Sequence, residues 1–559
     1  MIPTQYDSNS AAGSFNLQFS GLTASVPQLN ILRNGSTSQR QVNIVDNVSY
    51  SVRSHQFKFG IDYRRLTPTF SVNSYVVSAT FSSQQQVLDG TASSGFVRST
   101  IPMEPVFLNF SAYGQDTWRL SHRLTLQLGV RWDVNPAPSE ANGNLPIAVN
   151  QITDLATMQL APAGTKEYKT TYNNVVPRLG VAYQLSHAAG RETVVRGGFG
   201  VFYDTGNDIA ALNFNQRPPY TATRTLSSVS YPLDPAQLSP PPVTLQLPLG
   251  NFPAIFDPAL KLPYTLQWNG AVEQSLGKNQ ALTVSYVGAG GRRLQQATQL
   301  TLNAINPSFT TIFLTRGNAT SDYDALQAQF QRRLSRGLQG LISYTWSHAL
   351  DDDSISLSTF AAQRGNAVFD IRHVFTAAAT YEIPAANNNF WTRAILGHWF
   401  IDSSLHAQSA LPADLVARID TNPADGSQVN VRPNVNSGVP VYVSCACPGG
   451  REINRAAFQP PASGQSGNLG RNQVRGLGAW QQDFALRREF ALYERLKLQF
   501  RAEAFNIYNH PNFGRIQTNL TAANFGQATN MLNAQLGGIS ALYQIGGPRS
   551  QQLALKIIF

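Results

Sequence analysis

Charge is scarce in this 559-residue chain: 13% of residues are Asp, Glu, Lys or Arg, about half the share of a soluble globular chain. Cysteine is scarcer still, with two, which excludes a disulfide-stapled scaffold and every multi-cysteine metal site. No run approaches the roughly 18 consecutive apolar residues of a transmembrane helix. Neither an HExxH zinc motif nor a GxSxG nucleophile elbow occurs, so no catalytic residue can be named and no enzyme is expected. The opening MIPTQYDSNSAAGSF has no basic n-region and no apolar h-region, so no secretory signal is visible. The chain then either stays inside the cell or is not the complete precursor.

What fills the space is uncharged: 42 Gly, 32 Pro, and 10% aromatics, among them 20 Tyr and 30 Phe. Disordered segments are poor in aromatics, so a folded chain is expected. Mean hydropathy is −0.20. The 42 basic residues exceed the 32 acidic ones, for a net charge of +10. The arginines are spread along the whole chain and form no arm or patch, which argues against nucleic acid as a partner.

The dominant pattern is alternation with period two. Phe57, Phe59, Ile61 and Tyr63 alternate with Lys58, Gly60, Asp62 and Arg64. Leu124, Leu126, Leu128, Val130 and Trp132 alternate with Thr125, Gln127, Gly129, Arg131 and Asp133. The same rhythm runs through Leu496–Glu503 and closes the chain at Leu553, Leu555, Ile557 and Phe559. A strand sends alternate side chains to opposite faces, so each segment has one greasy and one wet face.

Three features favour a membrane barrel over a soluble sandwich. The segments run to ten residues or more, close to the 9–11 that a tilted strand needs to cross a bilayer. Several apolar faces end in aromatics, such as Trp132, Tyr203, Tyr286 and Trp346, as an interfacial girdle requires. Connections also alternate by parity. Strands are predicted near 13–20, 42–52, 55–64, 106–119, 123–133, 175–185, 192–203, 264–275, 281–288, 324–333, 338–348, 372–383, 397–409, 481–489, 495–507 and 551–559. Tight links such as VRS, LSH, SHAAGR, LGKN, LSRG and YERL alternate with long ones rich in Pro, Asn and Gly, with one softer connection near 384–396. Outer-membrane barrels have short periplasmic turns and long extracellular loops. The expectation is an all-β, transmembrane antiparallel barrel of about sixteen strands, an even number able to close as it stands. Residues 1–559 form one barrel domain, with 1–40 a weak start and 551–559 the closing strand.

Polar residues such as Arg131, Asp133, Arg501 and Glu503 are expected to line the lumen, because Arg or Lys on the lipid face at mid-membrane costs about 2–4 kcal/mol. Cys445 and Cys447 in SCACPGG suit an exposed loop disulfide better than a metal site, since a complete zinc site needs four ligands. Asp351, Asp352 and Asp353 lack the frame of a calcium loop and read as a solvated loop start. Gly288, Gly290 and Gly291 are followed by no helix pattern, so no dinucleotide loop is expected. The eight histidines are scattered, with His55, His122 and His187 at short turns. No cofactor and no metal site is expected, and no ligand-binding residue can be named.

The stretches FGIDYRRL, SAYGQDTWRLSHRLTLQLGVRWD, VVPRLGVAYQL, TVVRGGFGVFYD, SDYDALQAQFQRRLSRGLQGLISYTWSHALDD, FDIRHVFTAAATYEIP and RAEAFNIYNHPNFG resemble the barrel of TonB-dependent outer-membrane receptors, most closely the Oar-like subgroup. The resemblance spans roughly 40–559. It implies a 22-stranded barrel in the outer membrane of a Gram-negative bacterium, with lipid around it and a TonB complex as partner through a plug region. Uptake of a siderophore, cobalamin, oligosaccharide or peptide would follow. Phe559 looks like the carboxy-terminal signal read by the barrel-assembly machinery. A signal peptide, a regulatory-like β-sandwich, a plug with its TonB box and about six strands are not visible here. That leaves a passive porin-like channel of about sixteen strands as the alternative.

Overall fold

The computed structural model describes residues 13–19, 28–31, 37–70, 75–205, 214, 220–245, 247–249, 253–352, 364–384, 397–421, 428–493, 495–533 and 546–559. Fifteen long strands follow one another as an antiparallel meander. They are β1 Thr37–Val52, β2 His55–Phe70, β3 Pro105–Arg119, β4 Leu124–Val134 and β5 Asn174–Ser186. Next come β6 Thr193–Tyr203, β7 Tyr264–Ser275, β8 Gln280–Thr301, β9 Thr311–Ser335 and β10 Leu338–Asp351. The last are β11 His373–Glu382, β12 Trp399–Gln408, β13 Ala479–Tyr493, β14 Leu496–Phe505 and β15 Ser550–Ile558.

Every one of these matches a strand expected from alternation. The sixteenth does not join them. Gly13–Phe19 pairs in parallel with Tyr75–Phe81 and antiparallel with Gln28–Ile31, and this sheet is completed by Thr91–Thr100 and Thr221–Ser230. Phe15, Leu17, Val77, Phe81, Val97 and Leu226 are buried together as its core. A short alternating segment fits any half-buried sheet, so its own sequence could not say which one it joins.

The connections sort by side. The tight ones (53–54, 120–123, 187–192, 276–279, 336–337, 494–495) lie at one end with the longer 383–398, and the long ones (71–104, 135–173, 204–263, 352–372, 409–478, 506–549) at the other. At 336–337, Arg336 and Gly337 have φ of 51° and 77°, the two positive values that a two-residue type I′ hairpin demands. One expected long loop is shorter than the sequence suggested. Residues 289–323 continue as paired strand in β8 and β9, leaving 302–310 as the turn. The glycines of VGAGGRR therefore sit inside a strand. A Cβ on Gly288 would lie 2.2 Å from the Trp268 indole, so this glycine makes room for a cross-strand aromatic.

The two faces of the sheet differ as alternation requires. Ile44, Val48, Phe59, Ile61, Leu128, Val130, Leu179, Val181, Trp346, Leu553 and Leu555 are exposed on one face. In water this would be an apolar patch far beyond what monomeric soluble proteins tolerate. Facing acyl chains it carries no such penalty.

Fifteen is an odd number, and this has a geometric consequence. β1 and β15 both run from the long-connection side to the short-turn side. Among the described residues β1 pairs with β2 alone and β15 with β14 alone. Leu553 and Phe559 are 74% and 91% exposed. Joined directly, the two edges would make a parallel pair. Among the described residues the wall has fifteen strands where sixteen were expected, and these strands leave two edges with the same direction.

Candidate functional site

The wet face is built from the alternate residues of the same strands, and several of its charges are neutralised by close neighbours. Residues two apart on one strand share a face, which brings Arg131 Nε to 2.9 Å from Asp133 and Arg501 Nη2 to 2.8 Å from Glu503. All four expected lumen residues are therefore paired. Across strands, Arg196 meets Glu273 at 3.1 Å, and Arg487 meets Asp402 at 2.8 Å. Thr380 Oγ1 donates to Asp402 at 2.7 Å. A cavity of about 850 Å³ lies against this face of β9–β14, where Gln331, Thr380, Asp402, Arg487, Arg501 and Glu503 line it. A second of about 320 Å³ includes Asp62, Arg64, Arg131, Asp133 and Arg178. Both offer donors and acceptors of either sign, which suits a hydrated solute better than a single-ion filter.

Some carboxylates break the alternation, Asp46, Asp116 and Asp324 among them. Asp116 falls on the apolar row beside Phe57, and His55 Nδ1 lies 2.7 Å from its Oδ2. His55 also stacks on Trp118 at 5.1 Å. This histidine is more than a polar residue at a turn: it supplies the partner that an acid on the greasy face needs. His122 and His187 do lie at turns.

Above the wall, the long connections fold on cores of their own. Leu415, Ala417, Ile453, Phe458, Ile516 and Phe525 are buried together, and Val149, Met158, Ile255 and Phe309 form a separate cluster with Ile312 and Leu314 of β9. Buried ion pairs join the connections to the wall. Asp370, 1% exposed, accepts from the Ala349 N–H at 2.8 Å and contacts Arg372 at 3.1 Å, Arg475, and His348 at 3.4 Å. Arg475 also donates to the Asp370 and Ala410 carbonyls. Burial alone would raise the Asp370 pKa, yet the Ala349 N–H, Arg475 and His348 outweigh it and hold the carboxyl below its ordinary value.

The acidic run is claimed in the same way. Asp351 is buried against Arg471. Asp352 accepts from the Thr320 N–H and hydroxyl at 2.6 and 2.7 Å and lies 3.4 Å from Arg364. This corrects the reading of a solvated loop start, since both carboxylates have committed partners. Asp353 lies outside the described residues. Cys445 and Cys447 form a disulfide with Cα atoms 5.2 Å apart. Glu452 lies close enough to complete a three-ligand group, but the sulfurs are bonded to each other. Sequence reasoning missed Asp370, Arg471 and Arg475, because partners 105 and 120 residues apart leave no local signal.

A family model described as an outer membrane beta barrel domain matches residues 1–542. The chain belongs to that family. It is an outer-membrane β-barrel protein, and the apolar outer row is the surface that meets lipid. Among solved structures, the outer membrane transporter YddB from Escherichia coli matches with a TM-score of 0.53 at 12% identity, over 98% of this chain and 58% of that one. The ferric-catecholate import receptor Fiu from E. coli K12 matches with a TM-score of 0.45 at 12% identity, over 96% and 56%. The ferripyoverdine receptor of Pseudomonas aeruginosa gives 0.45 at 9%, over 93% and 48%. The likeness to the E. coli transporter is one of fold, and this barrel protein spans less than two thirds of that chain's length. No curated protein matches it.

Proposed function

We propose that this chain is the barrel portion of a TonB-dependent receptor of the Oar-like subgroup. It captures a scarce solute at its extracellular connections and passes it along the lumen, with energy relayed by TonB through a plug domain. The observation that carries this reading is the parity of the wall. Bacterial single-chain barrels have even strand numbers, and no backbone group can stay unpaired in the bilayer core. Fifteen strands with like-directed edges therefore need an odd number of further strands to close antiparallel. Seven would complete the 22 implied by the resemblance, one more than the six expected from sequence.

A passive porin-like channel made of the described strands alone is disfavoured by the same argument, because its seam would be parallel. In this reading residues 1–559 are one barrel domain bearing a small sheet on its connections. Phe559, at the short-turn end of β15, is the signal for the barrel-assembly machinery. The partners are outer-membrane lipid, that machinery, the TonB complex and an unidentified solute. No nucleic acid, cofactor or enzymatic step takes part.

Heat-modifiable gel migration from outer membranes tests the proposal. The chain carrying only an added secretion signal is compared with one extended by its upstream coding region. A shift in the extended version alone supports the receptor reading. A shift in both, together with steady conductance in planar bilayers, would favour the porin.

A further inference from the structure

Parts of three connections meet above the ends of β12, β13 and β14: 364–372, 409–421 with 428–478, and 506–533. Between them lies a cavity of about 560 Å³, separate from those on the lumen wall. Small-molecule sites typically occupy roughly 300–1,000 Å³ and combine apolar walls with a few placed polar groups. Here the walls are Leu411, Val416, Leu477, Phe513, Ile516 and Leu532. Phe513 and Leu477 are backed by the disulfide-bearing segment, since a Cβ on Gly449 would fall 2.4 Å from Leu477 and 3.3 Å from Phe513.

The polar groups of the cavity are unequal. Asp414 is buried and satisfied, receiving two hydrogen bonds from Arg432 at 2.7 and 3.0 Å, so its charge is neutralised. Asn472 is buried beside it. Its N–H reaches Asp414 at 3.3 Å and its Nδ2 donates to the Asn366 carbonyl at 2.7 Å, while its Oδ1 has no donor. The exposed Arg515 also lines the cavity. Its backbone is tied to Asn530 and Thr529, but no hydrogen bond or ion pair of its guanidinium is present among the described residues. The cavity thus has an apolar body, a neutralised acid and one uncommitted cation.

We propose that this cavity binds an amphipathic organic monoanion, with its apolar body against Leu477, Phe513 and Ile516 and its anionic group on Arg515. The proposal deepens the reading of ligand capture by the extracellular connections. Arg suits a carboxylate because its planar fork donates two parallel hydrogen bonds. An anion inside a cavity beside an unpaired Asp would be repelled. The Arg432 pair removes that obstacle.

The test uses the complete extended receptor in lipid nanodiscs, with empty nanodiscs as the blank and naphthoate as the probe. Naphthamide serves as its neutral analogue, and fluorescence titration is the readout. Saturable naphthoate binding is expected. Arg515→Gln should weaken it about tenfold, the loss of one charge-assisted contact, and leave naphthamide unchanged. Leu477→Trp, which fills the cavity, should weaken both probes. Retained heat-modifiable migration verifies that each variant is folded. Absence of saturable binding, or binding indifferent to both substitutions, overturns the proposal. Equal effects of Arg515→Gln on both probes overturn the anion assignment. None of these failures touches the receptor reading, which rests on the gel comparison.

Discussion

The strand wall and the connections above it use the same residue types in opposite ways. In the wall, Leu128, Val130, Leu179 and Leu553 are exposed, and order comes from continuous backbone ladders. In the connections, Leu415, Ile255 and Phe309 are wholly buried, and Asp370 and Asp414 are sealed in with arginines, as is Asp351 at the end of β10. The wall is arranged for a solvent of acyl chains, and the connections are arranged for water. A chain with few charges therefore concentrates its buried ion pairs where water is the competitor, and leaves its wall charges in half-exposed pairs along a wet lumen.

The largest expected effect breaks the connections and spares the wall. Asp370→Ala leaves Arg475 and Arg372 beside an uncompensated site, and removing one partner of a buried pair costs about 3–5 kcal/mol. Limited proteolysis should then cut within 409–478 while heat-modifiable migration persists. Breaking the wall requires a different change. Val130→Arg places a charge on the lipid row and should cost about 2–4 kcal/mol in lipid, read from urea unfolding in liposomes. The neighbouring lumen change Gln127→Arg should cost far less.

Acid sharpens the contrast further. Asp370 and Asp352 have their pKa held down; in both, burial alone would raise it and the bonded donors prevail. Their stabilisation is present above the ordinary aspartate value of about 4 and is lost as pH falls through the lowered folded values. Between about pH 4 and pH 2, protease sensitivity of the connections should rise before the gel shift of the wall is lost. The smallest effect is expected in the lumen. Glu503→Gln weakens a pair with Arg501, whose side chain is 43% exposed, and should change stability by about 1 kcal/mol or less.

This division also explains what the sequence could disclose. The wall was legible because period two is local: fifteen strands and both sets of turns follow from residues within a dozen of each other. Gly288, Gly290 and Gly291 interrupt the alternation, so the sequence pattern ends at 288 and resumes at 324 and hides the outer halves of β8 and β9; the Trp268 indole accounts for the first of those glycines. The segment Phe15–Leu17 has the right rhythm but a different partner, and partners are not written locally. The connection site was the least legible part. Arg471 and Arg475 meet acids more than 100 residues away, and neither composition nor spacing distinguishes them from the other arginines.

The parity of the wall requires that β1 and β15 do not pair with each other. Ser49 and Ala554 lie on the wet rows of these two edges. Spin labels at Ser49→Cys and Ala554→Cys, with the native loop disulfide intact, would report their separation by pulsed dipolar spectroscopy in outer membranes. The expected distance is well beyond the roughly 5 Å of directly paired strands, with room for the intervening strands. Labels in near contact, in a chain that retains its heat-modifiable shift, would show that the fifteen strands close on themselves and would contradict it.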